Sequence, residues 1–238
     1  MSLEQYFSRP DFSVPRRLIA MVNGPEGSGK THFALTASAV GPTAYIDTDI
    51  NAEGVWQKFK DRDLWHIEIK PGSEMIQNPA AGTNEYEAEW EKFKKAYHVA
   101  VDEPKIKVII WDNATEVWEL CRLSHFGRLE KVPPIKYGIA NSDMRQLIRD
   151  AKARADLTLI LIHKLTSEYL DDRATGKKVA AGFKDTPYLV QTVVNCWRKD
   201  KKFGITVDKC THNPMVEGLE LVEPMASFPL LMSMIHGD

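Results

Sequence analysis

The chain has 238 residues, a formal net charge of −2 and a hydrophobic fraction of 43%. That is apolar material for one large core, alone or with an appendage, and the near-neutral charge excludes a globally basic nucleic-acid binder, so any such surface is a local patch. No apolar run reaches membrane-spanning length, no signal-peptide stretch opens the chain, and Cys121, Cys196 and Cys210 lack C-x-x-C spacing, which together predict a cytoplasmic protein with no membrane partner.

Residues 1–17 form a short lead with Pro10, Pro15, Tyr6, Phe7 and Phe12. It reads as a strap on the core, or as a segment docking an aromatic ring into a neighbouring subunit. The expected organisation is a strap at 1–15, a core at 16–212 and a tail at 213–238. Leu18-Ile19-Ala20-Met21-Val22 is an apolar run of strand length, and it leads into Gly24-Pro25-Glu26-Gly27-Ser28-Gly29-Lys30-Thr31. This stretch satisfies G-x-x-x-x-G-K-[ST]. Glycines let a backbone curl round an anion with its N–H groups pointing inward. A lysine at this position reaches the β and γ phosphates, and the threonine hydroxyl ligates Mg²⁺. His32 to Ala37 continue as a helix that Gly41-Pro42 stops. Strand, glycine loop and helix therefore stand in the order that a phosphate site requires, and the chain is predicted to bind ATP or GTP with Mg²⁺.

Thr43-Ala44-Tyr45-Ile46 is a second strand, ending in Asp47-Thr48-Asp49. Residues 84–101 read as a helix with Trp90, Phe93, Tyr97 and Val101 on one face, and Asn84 with Glu87 resembles a capping box. Lys107-Val108-Ile109-Ile110-Trp111-Asp112 is a buried strand ending in a carboxylate, residues 141–155 an amphipathic helix, and residues 157–163 another buried strand, ending in His163. Strands alternating with helices predict a parallel sheet covered on both faces. From 171 to 184 the composition turns to glycine and basic residues, and 190–209 is strand material. The Met-rich apolar stretch at 225–235 is expected to pack on the core. The seven histidines form no H-x-x-x-H or similar metal pattern.

In open α/β sheets, sites gather at the carboxyl ends of the strands. Asp47, Asp49, Asp112 and His163 would converge there, with Asp112 supporting Mg²⁺ through water.

The phosphate loop followed by Tyr45-Ile46-Asp47-Thr48-Asp49 resembles the RecA-type recombinase ATPases, and the whole chain resembles the compact phage single-strand annealing ATPases of that superfamily. The resemblance covers roughly residues 16–212 and implies an α/β fold: a RecA-like P-loop NTPase core with a mostly parallel sheet flanked by helices. It implies that Lys30 and Thr31 hold phosphate and Mg²⁺ and that Asp112 supports the metal. Asp49 falls where the family has its water-activating Glu, one methylene longer, and Glu53 is the alternative water-positioning carboxylate. Glu53 and Trp56 fall at the adenine contact, Trp56 by ring stacking or else as a core aromatic. His163, or Lys164 one residue on, falls at the γ-phosphate sensor, and Lys209 where a lysine reaches the neighbouring subunit's ATP. The 171–184 stretch falls at a mobile DNA loop, in which Arg173, Lys177, Lys178 and Lys184 would meet phosphates and Phe183 would stack on a base. Each of these positions also has a plain structural reading, as a core ring or a solvated charge.

The implied function is an ATP-binding, DNA-dependent ATPase of homologous recombination or single-strand annealing. It would bind single-stranded DNA as a homo-oligomer, ring or filament, with a single-stranded-DNA-binding protein as a further partner. Two alternatives remain open: a small-molecule or nucleotide kinase, which the same loop fits, and an ATP-gated interaction protein with little turnover.

Overall fold

A computed structural model describes residues 17–49, 52–70, 84–127, 132–170 and 173–237; the lead at 1–15, with both readings given for it, lies outside them. The central strand is β1 (Ile19–Asn23), lying between β5 (Thr158–Ile162) and β8 (Thr192–Lys199) and parallel to both. Beyond β5 come β4 (Val108–Asp112), β2 (Thr43–Asp47) and β3 (Leu64–Glu68), all parallel. On the other side β8 turns back into β9 (Lys202–Cys210), which pairs with β10 (Glu220–Val222), both pairings antiparallel. The order across the eight-stranded sheet is therefore β10-β9-β8-β1-β5-β4-β2-β3.

Strand alternation explains why the central strands read as unbroken apolar runs. Successive side chains point to opposite faces, so Ile19 and Met21 enter one core cluster while Leu18, Ala20 and Val22 enter the other. One face is covered by α3 (Asn84–Asp102), α4 (Ala114–Phe126) and α5 (Gly138–Ala153). On α3, Trp90 and Phe93 stack with centroids 5.3 Å apart, and Phe93 and Tyr97 meet Trp111 of β4 edge-on at 5.2 and 5.1 Å. Three- and four-residue spacing along the helix sets these rings on the sheet. The side chain of Asn84, and with it the expected capping box, lies outside the described residues.

The other face is covered by α1 (Lys30–Thr36) and α7 (Phe228–His236). The C-terminal apolar stretch is thus a helix: Phe228 is wholly buried, meets Phe33 at 5.9 Å, and its N–H donates to the Thr36 hydroxyl at 2.8 Å. Short helices α2 (Glu53–Trp56) and α6 (Thr186–Leu189) complete the core. β6 (Leu165–Leu170) and β7 (Arg173–Ala180) form a separate antiparallel hairpin. Within the 171–184 stretch that the resemblance places at a DNA loop, residues 173–180 instead form a strand with nearly every residue exposed. It has no apolar face, so hydrophobic periodicity could not reveal it.

Truncating a buried Phe costs about 3–5 kcal/mol. Phe228→Ala is accordingly expected to lower the unfolding free energy by that order in a denaturant titration, by loosening α7 from α1.

Candidate functional site

The phosphate loop leaves the carboxyl end of β1 and enters α1 at Lys30. Two of its glycines have steric reasons to be there. A Cβ on Gly24 would lie 2.5 Å from both the Cys196 carbonyl oxygen and Ser28 Oγ; Gly29 has φ +86°, and its Cβ would come 3.1 Å from the Phe203 ring. The loop lines a cleft of about 970 Å³ together with Asp49, Asp112, Asn113 and Lys164. Lys30 Nζ donates to the carbonyls of Gly24 and Pro25, both at 2.8 Å, so its ammonium folds over its own loop. Burial lowers the Lys30 pKa, while the charges of Asp112, Asp49 and Glu26 pull it upward.

Asp112 ends β4 directly beside Asp47 of β2. Its Oδ2 accepts the Thr31 hydroxyl at 2.6 Å and the Tyr45 hydroxyl at 2.7 Å. Burial raises the Asp112 pKa, the two hydrogen bonds oppose that, and Asp47 and Asp49 add to it. Burial first, then the Asp112 charge, drives the Tyr45 phenol well above its ordinary value, so it remains a donor. A hydroxyl and a buried carboxylate side by side form a hard oxygen donor set, which suits Mg²⁺.

Across the cleft Lys164 Nζ bonds Asp49 Oδ1 and Glu116 Oε1, each at 2.9 Å. Burial works to lower its pKa, but the bonds and charges of Asp49 and Glu116 outweigh that and raise it. Glu116 is held by the first turn of α4, where its N–H donates to Asn113 Oδ1 at 2.9 Å. Of the sensor pair left open by the sequence, Lys164 faces the cleft and His163 does not. Neighbouring residues of an extended chain point in opposite directions. His163 is fully buried, with its Nδ1 2.8 Å from the Ala181 carbonyl. Burial brings its pKa down to about 4, so the ring is neutral and donates that bond.

Other expected positions move as well. Trp56 lies outside the phosphate cleft, in a separate cavity of about 430 Å³ with Phe59 and Leu64, edge-on to His66 at 4.1 Å and to Tyr45 at 5.7 Å. Lys209 Nζ donates to the carbonyls of Pro187 and Val190 at 2.7 and 3.0 Å, where α6 ends, so it is engaged within its own chain and lines no part of the cleft. The Glu53 side chain lies outside the described residues. Phe183 is 4% exposed, packed on Trp118 at 5.4 Å and beneath the Arg145 guanidinium at 5.9 Å. It is a core ring and offers no face to a base. Arg173, Lys177, Lys178 and Lys184 are exposed.

Sequence reasoning passed over Tyr45, Glu116 and the turn joining β8 to β9. In that turn Arg198, Lys199, Lys201 and Lys202 surround Asp200, with φ +50° at Asp200 and +66° at Lys201. Arg198 lies over the Phe203 ring, itself a wall of the cleft, at 5.1 Å. The R-K-D-K-K run between two strands holds none of the Asn-Gly or Asp-Gly pairs that mark a tight hairpin in a sequence. A thiol, an imidazole and a carboxylate also meet on the α4–α5 side, Cys121, His125 and Asp143 lying within 4.8 Å of one another, with His125 and Asp143 already paired at 2.9 Å.

The family model described as AAA domain matches residues 16–194, about three quarters of the chain. The chain belongs to the AAA domain family. Curated protein sequences give no match to this AAA-domain chain. Among solved structures it is similar to the RadB recombinase, with TM-score 0.55 and 17% identity over 87% of this chain and 86% of that one. It is also similar to a prototypical ATPase of the type III secretion system of pathogenic bacteria, with TM-score 0.52 and 13% identity over 76% of this chain; it spans 51% of that ATPase. At such identities the likeness establishes the fold, that of a RecA-like P-loop ATPase. No helix among the described residues is long and apolar enough to cross a membrane.

Among the described residues Lys30 donates only to loop carbonyls, so its removal leaves the core untouched. Charge-assisted bonds contribute about 1.5–3 kcal/mol each. Lys30→Ala is expected to weaken ATP binding at least about tenfold by calorimetry while the melting temperature stays near the parent's.

Proposed function

We propose that this AAA-domain protein is an ATP- and Mg²⁺-dependent, DNA-stimulated ATPase that binds single-stranded DNA as an oligomer in phage-type recombination or annealing. The observation that carries the reading is the junction at Lys164. This lysine lies in the cleft, and β6 begins at the next residue, so the nucleotide site and the exposed cationic hairpin share one short stretch of chain. β7 displays Arg173, Lys177 and Lys178, and cations along an exposed ribbon suit a phosphate backbone. Lys184 beyond it and the basic turn at Arg198–Lys202 extend the positive surface. That RadB, which shares the fold, is a recombinase supports the same reading.

Thr31 and Asp112 would hold Mg²⁺, which when bound offsets charge on the phosphates. Lys30 would leave its loop carbonyls for the phosphates. Asp49 would orient the attacking water once Lys164 turns from it toward the γ-phosphate. A bound γ-phosphate thereby competes with Asp49 and Glu116 for one ammonium, and the start of the hairpin follows that ammonium.

One observation favours the quieter alternative, an ATP-gated interaction protein: Asp49 is already neutralised by Lys164 at 2.9 Å. ATP turnover with and without single-stranded DNA separates the readings. Stimulation by DNA supports the ATPase, turnover that needs a small acceptor supports a kinase, and none supports the gated binder. Asp49→Asn is expected to abolish single-turnover hydrolysis with ATP affinity retained. Each phosphate-neutralising lysine contributes about 0.7 to the log–log salt slope on single strands. Lys177→Ala with Lys178→Ala should therefore flatten that slope by up to about 1.4 in DNA-binding titrations, leaving ATP affinity alone. An unchanged slope would remove the hairpin from the DNA surface.

A further inference from the structure

Tyr45 belongs to β2, is 2% exposed, and would be equally well packed as a phenylalanine. Its hydroxyl is therefore the part that needs an explanation. That hydroxyl donates at 2.7 Å to Asp112 Oδ2, the oxygen that also accepts the Thr31 hydroxyl at 2.6 Å. The ring is packed between aromatic neighbours: Trp56 stands edge-on to it at 5.7 Å and His66 lies tilted against it at 6.0 Å.

We propose that Tyr45 is the positioning residue of the metal-supporting carboxylate. A carboxylate held at one oxygen by a single donor can turn about its Cβ–Cγ bond. Two donors on the same oxygen, one from the start of α1 and one from β2, remove that freedom and set the direction in which the other oxygen faces. A hydroxyl carries one proton and two lone pairs, so Thr31 can keep its bond to Asp112 while offering its oxygen to Mg²⁺. Tyr45 supplies the second hold, which the loop cannot provide. The sharing also connects two regions that the sequence keeps apart, because the ring that holds Asp112 is a wall of the aromatic cavity around Trp56.

The inference rests on Asp112 serving the metal, so the experiment separates that premise from the role of Tyr45. Mn²⁺ binding to the ADP complex of the full chain is measured by electron paramagnetic resonance for the parent, Tyr45→Phe, His66→Asn and Asp112→Asn. ADP binding in EDTA is measured alongside. Losing one hydrogen bond to a charged group predicts Mn²⁺ binding weakened by about tenfold or more in Tyr45→Phe. ADP binding in EDTA should stay at the parent value, and His66→Asn, which disturbs the same ring packing but keeps the hydroxyl, should bind Mn²⁺ like the parent. If Asp112→Asn loses Mn²⁺ while Tyr45→Phe does not, the positioning role is wrong and the metal assignment stands. If Asp112→Asn binds Mn²⁺ like the parent, the metal assignment fails and takes the inference with it. An equal loss in EDTA, or an equal loss in His66→Asn, assigns the effect to packing and overturns the proposal. Should Tyr45→Phe not fold, the Tyr45 Cζ resonance of the parent is followed by NMR instead. It must move when Mg²⁺ is added to the ADP complex, and a stationary resonance overturns the proposal equally.

Discussion

The burial of Asp112 is the constraint on which the site depends. A carboxylate at 5% exposure loses most of its hydration, and a buried charge is tolerated only where donors replace the water. Here the donors come from two other segments, the loop–helix junction through Thr31 and β2 through Tyr45. β1 and β4 must each lie next to β5, and β2 next to β4, for these groups to meet. The parallel order of the sheet is thus what makes a nucleotide cleft of three separate stretches of chain.

A second electrostatic arrangement faces the first. Lys164 stands between two carboxylates, Asp49 just past the end of β2 and Glu116 from the first turn of α4. Its backbone N–H is fixed by the Thr115 hydroxyl at 3.0 Å, and Thr115 in turn donates to the Ala181 carbonyl at 3.1 Å, where the hairpin returns. Both ends of the β6–β7 hairpin are therefore anchored on α4 beside the cleft, while β7 is exposed to solvent along nearly its whole length. Any force on the Lys164 ammonium acts at the base of that hairpin.

The buried groups on the other side show why a chemically attractive residue can lack access. Phe183 fills the space over Trp118, His163 is enclosed at the end of β5, and Lys209 completes the carbonyls where α6 ends. Each is an aromatic or polar side chain at a plausible place in the sequence. In each case a neighbour that is distant in sequence takes up its interacting group.

By itself the sequence determined the features that depend on local geometry. The phosphate loop needs glycine at 24, where a Cβ would strike Cys196, and at 29, where one would crowd Phe203, and it needs Lys30 and Thr31 at fixed distances along the chain, so eight consecutive residues carry it. Central strands buried on both faces must be apolar throughout, which made β1, β2, β4 and β5 legible, and Asp112 stood out as the charge ending such a run. What only the tertiary structure decided depends on which way a side chain points and what arrives opposite it. A one-residue change at the end of a strand reverses its direction, which is why Lys164 and not His163 faces the cleft. The exposed strand β7 had no apolar face to give it a period. Tyr45 looked like any strand aromatic, because its partner Asp112 lies 67 residues away and the hydrogen bond between them exists only once the sheet has formed.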